Sequence, residues 1–179
     1  MRLWSWWRSR LDKDPADHQT EAEMTKEIIY FEDLPVGEPI WGDEVVVNPD
    51  EMMEYNRRND PWPIHVDPGF AAKSPFGGII ASGGYTITLL YRSLNGVYNN
   101  DQKAWAFLGG LNWDLKFAAP VRPGDTLRSR LTVNSKRLSS KGGRGVLNTV
   151  SEFFNQDDVL VLSLDVVSFI ETKPQETGQ

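Results

Sequence analysis

An aspartate and a histidine separated by four residues are the pair in this sequence best suited to acid/base chemistry. Asp60 and His65 enclose the segment Pro-Trp-Pro-Ile. A carboxylate can fix the tautomer of a neighbouring imidazole ring, and the two groups together can hold one water molecule. The spacing leaves a second interpretation open, in which Asp60 is a turn residue and His65 a capped loop residue.

The segment between the two residues must bend if their side chains are to share one water. Five fully extended residues span roughly 17 Å, whereas both side chains must come within about 3 Å of that water. Pro61 disfavours helical geometry at Asp60, and Pro63 does the same at Trp62. We therefore expect a stiff loop from Asp60 to His65 that turns back on itself.

Two glycines that precede an apolar stretch form a second candidate site. Ser82, Gly83 and Gly84 come directly before the stretch from Tyr85 to Leu94. The first N–H groups of a helix lack partners within the helix, and the helix dipole is positive at that end. Such groups suit a carbonyl oxygen that gains negative charge during a reaction. Alternatively, the glycines only let the helix pack closely on a sheet, and Ser82 only caps it.

The elements that position these residues begin with two short helices. Asn48 is a suitable N-cap, Pro49 suits the first helical position, and Glu51 completes a pattern that resembles a capping box. This pattern predicts a helix over residues 49–59, ended by the proline that follows Asp60. A second Asp-Pro signal predicts a short helix over residues 67–73.

An apolar helix followed by strands forms the rest of the predicted fold. The helix covers residues 85–94, is apolar on nearly every face and closes at Asn95-Gly96. Strands are predicted near residues 44–47 and over residues 105–118, 126–136, 146–154 and 159–170. Apolar and polar residues alternate in them, so one face of the sheet is core. The sequence predicts an α+β domain in which an antiparallel sheet curls around the apolar helix.

Composition excludes several classes of function. The 179 residues include 19 basic and 25 acidic side chains, so no basic face for a nucleic acid is expected. Cysteine is absent, which excludes disulfides, thiolate metal sites and cysteine nucleophiles. His18 and His65 are the only histidines, so a multi-histidine metal site is excluded as well. We expect no metal.

The two ends of the chain differ in composition from its middle. Residues 1–23 form a Trp/Arg-rich and then acidic extension that we expect to be flexible, residues 24–172 a single domain, and residues 173–179 a flexible tail. Apolar residues at helical spacing within residues 1–11 leave contact with a membrane open as an alternative. No apolar run approaches the roughly 20 residues that cross a bilayer, so a cytoplasmic protein is expected.

Three segments together resemble a known family. They are Phe31-Glu-Asp-Leu-Pro-Val-Gly37, Asp60-Pro-Trp-Pro-Ile-His-Val-Asp-Pro68 and Phe70-Ala-Ala-Lys-Ser-Pro-Phe-Gly-Gly-Ile-Ile-Ala-Ser-Gly83. In order and spacing they are similar to the MaoC-like (R)-specific enoyl-CoA hydratases, which have the hot-dog fold. The similarity covers roughly residues 30–170.

The resemblance implies a reaction and a role for each site residue. Members of the family add water reversibly to a trans-2-enoyl thioester, which gives a 3-hydroxyacyl thioester; the chain would thus be a carbon–oxygen lyase. Asp60 and His65 match the pair that activates the water, and Gly83 matches the glycine whose amide binds the thioester carbonyl. The family further implies a homodimer or a dimer of dimers, an acyl-CoA substrate, and no cofactor beyond the CoA or acyl-carrier thioester itself.

Departures from the family pattern bear on the substrate. Many members have histidine where this chain has Ser82 and asparagine where it has Trp62. Trp62 and Tyr85 would place aromatic surface near the acyl pocket, where it could shorten the accepted chain or select a ring or a branch; both could instead be core residues. Two other functions stay open: a hot-dog acyl-CoA thioesterase, and a noncatalytic module that binds acyl thioesters.

Overall fold

The computed structural model describes residues 26–175. The predicted extension over residues 1–23 therefore lies outside the described residues, as do residues 176–179 of the predicted tail. The elements, in chain order, are β1 (Glu27–Ile29), a 3-10 turn (Phe31–Asp33), β2 (Pro39–Val46), α1 (Pro49–Asn59), α2 (Pro63–Val66), α3 (Pro68–Lys73), α4 (Gly83–Tyr98), β3 (Lys103–Trp105), β4 (Phe107–Phe117), β5 (Thr126–Leu138), β6 (Arg144–Phe154) and β7 (Leu160–Glu171).

Five long strands form one antiparallel sheet in the order β2-β5-β6-β7-β4. Alternation builds its core face, as the sequence predicts: in β5, Leu127, Leu131 and Val133 are fully buried, and β6 alternates buried and partly buried residues along its whole length. The helix α4 packs on this face through side chains that include Leu89 and Leu90. The predicted α+β architecture is confirmed.

The buried helix is longer than the sequence predicts. The expected end at Asn95-Gly96 is wrong, because α4 continues through both residues to Tyr98 and ends when the Asn99 N–H donates to the Asn95 carbonyl. Gly96 serves close approach instead: a Cβ there would lie 2.7 Å from a carboxylate oxygen of Asp43. Among residues 26–175, no helix combines the length and the apolar character needed to cross a membrane.

The first long strand of the predicted meander is in fact two strands. β3 pairs in parallel with β1 in a separate two-stranded sheet, whereas β4 pairs with β7. The chain changes partner at Ala106, whose N–H donates to the Ile29 carbonyl. The pairing depends on a segment far away in sequence, so alternation within residues 105–118 could not indicate the break.

β4 is an edge strand of the large sheet and carries exposed apolar side chains. Phe107, Leu111, Trp113 and Phe117 are each about half exposed, at 53, 53, 50 and 54%. β2 forms the opposite edge. An unpaired edge offers backbone N–H and C=O groups to another strand.

Candidate active site

Asp60 and His65 are held by the end of one helix and by the short helix that follows. α1 ends where the Asp60 N–H donates to the Asn56 carbonyl, directly before Pro61. The sequence predicts a loop as far as His65; instead, one helical turn, α2, begins at Pro63 and contains His65. Proline restricts the residue before it but is favoured at the first helical position, which explains the difference.

The chain folds back so that the two side chains face each other. Nε2 of His65 lies 3.8 Å from Oδ2 of Asp60, which confirms the predicted bend. The His65 side chain is 10% exposed and that of Asp60 is 38% exposed. The imidazole is thus enclosed by protein, while the carboxylate reaches the surface.

A backbone carbonyl fixes the tautomer of the histidine. Nδ1 of His65 lies 3.0 Å from the Ile80 carbonyl oxygen. Because that oxygen can only accept, the Nδ1–H donates to it, and neutral His65 presents the lone pair of Nε2 towards Asp60. The distance of 3.8 Å is too long for a direct hydrogen bond. Nε2 and Oδ2 are therefore two acceptors that a single water can bridge.

Asn56 joins the segments of the site and is a residue that the sequence analysis missed. Its side chain is fully buried and donates to the carbonyls of His65, at 3.1 Å, and Ile80, at 3.5 Å. Its Oδ1 accepts from the Ser82 N–H at 3.2 Å. The available signal was its position four residues after the buried Met52, which puts an amide on the apolar face of α1.

The start of α4 has a serine that caps the helix and two glycine N–H groups without a partner in the helix. Ser82 is buried, and its Oγ accepts from the Tyr85 N–H at 3.4 Å. The N–H groups of Gly83 and Gly84 belong to the first turn and have no partner within the helix. A Cβ on Gly83 would lie 2.8 Å from Cζ of Phe117, so close packing explains the glycine as well as carbonyl binding does.

Tyr85 lies in the interface between α1 and α4. It is fully buried, its ring is 5.3 Å from that of Tyr55, and its hydroxyl donates to Glu51 at 3.3 Å. Burial, followed by the Glu51 charge, raises the pKa of Tyr85 to about 12. Trp62, in contrast, is 69% exposed and lines an open surface depression beside Asp60. The aromatic surface expected from these two residues thus falls in two different places.

Glu51 contacts α4 and leaves the capping of α1 to Asn48. Oδ1 of Asn48 accepts from the N–H groups of Asp50 and Glu51, as the cap prediction requires. The Glu51 carboxylate pairs with the Arg92 guanidinium, and this hydrogen bond lowers the pKa of Glu51. The reciprocal half of the expected capping box is therefore replaced by a contact between helices.

A cavity of about 530 Å³ lies between the C-terminal half of α4 and the sheet. Its walls are largely apolar and aromatic, with Leu90 and Leu94 on the helix and Trp105 and Trp113 on the strands. Tyr91 stands at its rim, 6.0 Å from the Trp113 ring. Further along β4, the Phe117 ring lies over Gly83, so helix and strand lead from the start of α4 to the cavity.

Fold and site together define the class of protein. A protein of Mycobacterium tuberculosis described as having a double hot-dog fold superposes with a TM-score of 0.65 at 19% identity, over 84% of this chain and 46% of that one. The described domain is a hot-dog domain: a five-stranded antiparallel sheet packed against one buried helix. A family model described as "MaoC like domain" matches residues 31–152. The chain belongs to this family.

Relatives with assigned names agree with that membership. The chain is 36% identical over 117 residues to 3-hydroxyacyl-thioester dehydratase Z of Mycobacterium tuberculosis, covering 65% of this chain and 74% of the relative. It is 32% identical over 106 residues to 3-hydroxybutyryl-CoA dehydratase of Methylorubrum extorquens, covering 59% and 64%. The crystal structure of the MaoC-like dehydratase from Rhodospirillum rubrum superposes with a TM-score of 0.70 at 26% identity, over 82% of this chain and 99% of that one.

Proposed function

We propose that this chain catalyses the reversible addition of water to a trans-2-enoyl thioester, which gives a 3-hydroxyacyl thioester. The observation that carries the proposal is the pair of acceptors formed by His65 and Asp60, 3.8 Å apart, with the histidine tautomer fixed by Ile80. The names of the two dehydratase relatives support the same reaction.

The Asp60/His65 pair suits a water that must lose a proton. A water between the two groups donates one O–H to Nε2 and the other to Oδ2, which leaves an oxygen lone pair free to attack C3 of the enoyl group. His65 takes the proton, and the Asp60 carboxylate stabilises the imidazolium that forms. Returning a proton to C2 completes hydration, and dehydration follows the same path in reverse.

The start of α4 suits the thioester carbonyl. Attack at C3 moves negative charge onto the carbonyl oxygen, and an N–H group held in place beforehand stabilises that charge. We assign this role to the Gly83 N–H, which lies at the positive end of a 16-residue helix. No redox change takes place, so we propose that the reaction needs no cofactor beyond the CoA or acyl-carrier part of the substrate.

The cavity along α4 suits the acyl group. It begins about seven residues from Gly83, which is roughly 10 Å along the helix. Its volume of about 530 Å³ lies within the range of small-molecule sites. We propose that the acyl chain extends from the start of α4 into this cavity.

The direct test is turnover by the purified protein and two variants. We expect loss of enoyl absorbance with crotonyl-CoA or with longer trans-2-enoyl-CoAs. His65→Ala and Asp60→Asn should each lower kcat by about a hundredfold or more, because each removes a proton-transfer partner, with little change in substrate affinity. Asp101→Asn is the matched control, since Asp101 is exposed and lies in the turn after α4. Full activity in either site variant would contradict the proposal.

Two further measurements separate the alternatives from the hydratase. A thioesterase releases free CoA from saturated acyl-CoAs, so a thiol-release assay should give no signal above background for this protein. A noncatalytic binding module would hold enoyl-CoA without converting it, and both site variants would leave its biological activity unchanged.

We also propose that the chain forms a homodimer through β4. The support is the unpaired edge of this strand together with its half-exposed apolar side chains. A second copy would cover these side chains and the rim of the cavity.

A further inference from the structure

Three hydroxyl side chains lie on the sheet wall of the cavity. Thr149 and Ser151 belong to β6 and Ser168 to β7, and they are 4, 1 and 3% exposed. They share the core face of the sheet, because Thr149 and Ser151 alternate with outward residues of β6 and Ser168 pairs with the buried Leu147. The three hydroxyls form a diagonal row across two neighbouring strands.

The row opens onto the cavity. Among residues 26–175, Nε of Arg144 is the only fully buried side-chain polar atom without a hydrogen-bond partner. Thr149 and Ser168 line the cavity, and their hydroxyls form no side-chain hydrogen bond within this range. Burial raises the pKa of Tyr98 to about 12, and a hydrogen bond between Ser151 and the Tyr98 hydroxyl opposes part of this rise. Tyr98 therefore stays neutral and can donate a hydrogen bond.

These polar groups contrast with the other walls of the cavity. Leu90, Leu94 and Trp113 provide a surface suited to hydrocarbon. A buried hydroxyl is costly when it lacks a partner, and a purely hydrocarbon occupant would displace water from the row without replacing its hydrogen bonds. If these three positions only filled space, valine or alanine would pack there equally well without a buried hydroxyl.

Strand register gives the distance between the hydroxyl row and Gly83, where the thioester end of the substrate is proposed to bind. The Phe117 ring lies over Gly83, and Phe117 pairs with Leu162. Ser151 pairs with Leu164 and Thr149 with Val166, so these hydroxyls lie two and four residues further along the sheet. At about 3.4 Å per residue, this places them roughly 7 and 14 Å from the level of Gly83. An acyl chain of medium length spans this distance.

We infer that the acyl group bound by this protein carries a hydrogen-bonding oxygen at its distal end, which the Thr149 hydroxyl binds, with Ser151 and Ser168 before and after it along the row. This inference rests on the proposed function, because it takes Gly83 as the position of the thioester. The preferred substrate class is then an ω-oxygenated enoyl thioester.

The test compares two ligands that differ by one hydroxyl group. trans-2-Decenoyl-CoA and its ω-hydroxy analogue are titrated by calorimetry into His65→Ala protein, which binds without turning over. We expect the ω-hydroxy ligand to bind about tenfold more tightly, as one well-made neutral hydrogen bond provides. Thr149→Val in that background should remove most of the preference, because Thr149 lies at the level that the ω-hydroxyl reaches, whereas Ser151→Ala should change it less.

A matched control uses the same sheet. Thr132 lies on β5 but alternates with the buried Leu131 and Val133 and so points away from the core. Thr132→Val should keep the full preference for the ω-hydroxy ligand. Melting temperatures of all variants show that the sheet is intact.

The outcomes distinguish this inference from the proposed function. Equal binding of the two ligands, tighter binding of the plain ligand or binding of neither would overturn the inference, even if wild-type protein hydrates enoyl-CoAs. A preference for the ω-hydroxy ligand that disappears in Thr149→Val supports it, even if wild-type protein turns over neither ligand and the hydratase proposal fails.

Discussion

The Ile80 carbonyl determines which nitrogen of His65 is left as a hydrogen-bond acceptor. It accepts from Nδ1 at 3.0 Å and so leaves Nε2 as the acceptor that faces Asp60. Because Ile80 lies 15 residues from His65, a main-chain position that no sequence pattern identifies holds the ring. The Asp60/His65 pair itself could be predicted from type and spacing, whereas the group that orients it could not.

At the same scale, Gly83 permits a prediction that separates packing from catalysis. Gly83→Ala keeps the backbone N–H but puts a Cβ 2.8 Å from Cζ of Phe117, a contact that forces the ring or the helix start to move. Since small displacements near reacting groups are costly, we expect kcat/KM to fall at least about tenfold, with little loss of stability because the Phe117 ring is half-exposed.

The double variant Gly83→Ala/Phe117→Leu is the control for this prediction. Removing the ring should restore part of the activity if the clash is the cause. Unchanged activity in the single variant, measured beside its melting temperature, would contradict the role of a closely fitted helix start.

At the scale of elements, Asn56 connects α1, α2 and the start of α4. Asn56→Ala removes donors to the His65 and Ile80 carbonyls and the acceptor for the Ser82 N–H. The Ile80 carbonyl keeps its contact with Nδ1 of His65, so two groups lose their partner, the His65 carbonyl and the Ser82 N–H. Since a buried group without a partner costs about 1–3 kcal/mol, we expect the free energy of unfolding to fall by at least about 2 kcal/mol.

Chemical denaturation measures this loss, and Asn59→Ala is the control. Asn59 lies on the same helix but is exposed, and it donates only to the Tyr55 carbonyl. Equal effects of the two substitutions would contradict the connecting role of Asn56. We also expect Asn56→Ala to lower kcat, since the His65 carbonyl loses its donor and the segment that carries the ring is held less firmly.

The contact between α1 and α4 through Glu51 predicts a dependence of stability on pH. The Arg92 guanidinium lowers the pKa of Glu51 below its ordinary value of 4.5. The ionised carboxylate is thus favoured in the folded state, so its contribution is complete above the ordinary pKa and is lost as the pH falls through the lowered one. The pair is more than a third exposed, which limits the contribution to roughly 0.5–1 kcal/mol.

Denaturation of wild type and Glu51→Gln over a range of pH measures this contribution. The difference between them should be constant from neutral pH down to about pH 5 and should shrink at lower pH. If the difference in the free energy of unfolding between the two proteins grows as the pH falls, the predicted direction of the pH dependence is wrong. Glu54→Gln, on the same helix, is the control.

Elements were predictable from sequence where local signals determine them. The cap at Asn48 fixed the start of α1, and alternation identified the strands that carry the core. Two features depend on contacts with distant segments: the pairing of β1 with β3 and the extension of α4 through Gly96. No local sequence pattern could predict them. The same holds for Asn56, whose partners lie 9 to 26 residues away.

At the scale of the whole molecule, the β4 edge predicts how two copies associate. Leu111→Lys puts a charge among apolar side chains that the partner would cover. Because burying an unpaired charge is costly, we expect the dissociation constant of the proposed homodimer to rise at least about tenfold. Sedimentation over a range of concentrations measures this change.

The opposite edge of the sheet provides the control for the dimer. Val46 on β2 is 62% exposed, so Val46→Lys introduces the same charge at a comparably exposed apolar position. It should leave the dimer unchanged. Dissociation by Val46→Lys alone would assign the interface to β2 instead.

The groups around the Asp60/His65 pair and the walls of the cavity come from two separate parts of the sequence, which affects how such a protein can evolve. The groups that hold Asp60 and His65 all come from residues 56–82, whereas the cavity walls come from residues 90–168. Substitutions in the second part of the chain can therefore alter the cavity without disturbing the first. New selectivity can therefore arise in residues 90–168 while the proposed acid/base pair stays unchanged. A chimera that joins residues 26–89 of this chain to the segment of a relative that corresponds to residues 90–175 should keep the chemistry of one parent and the substrate preference of the other.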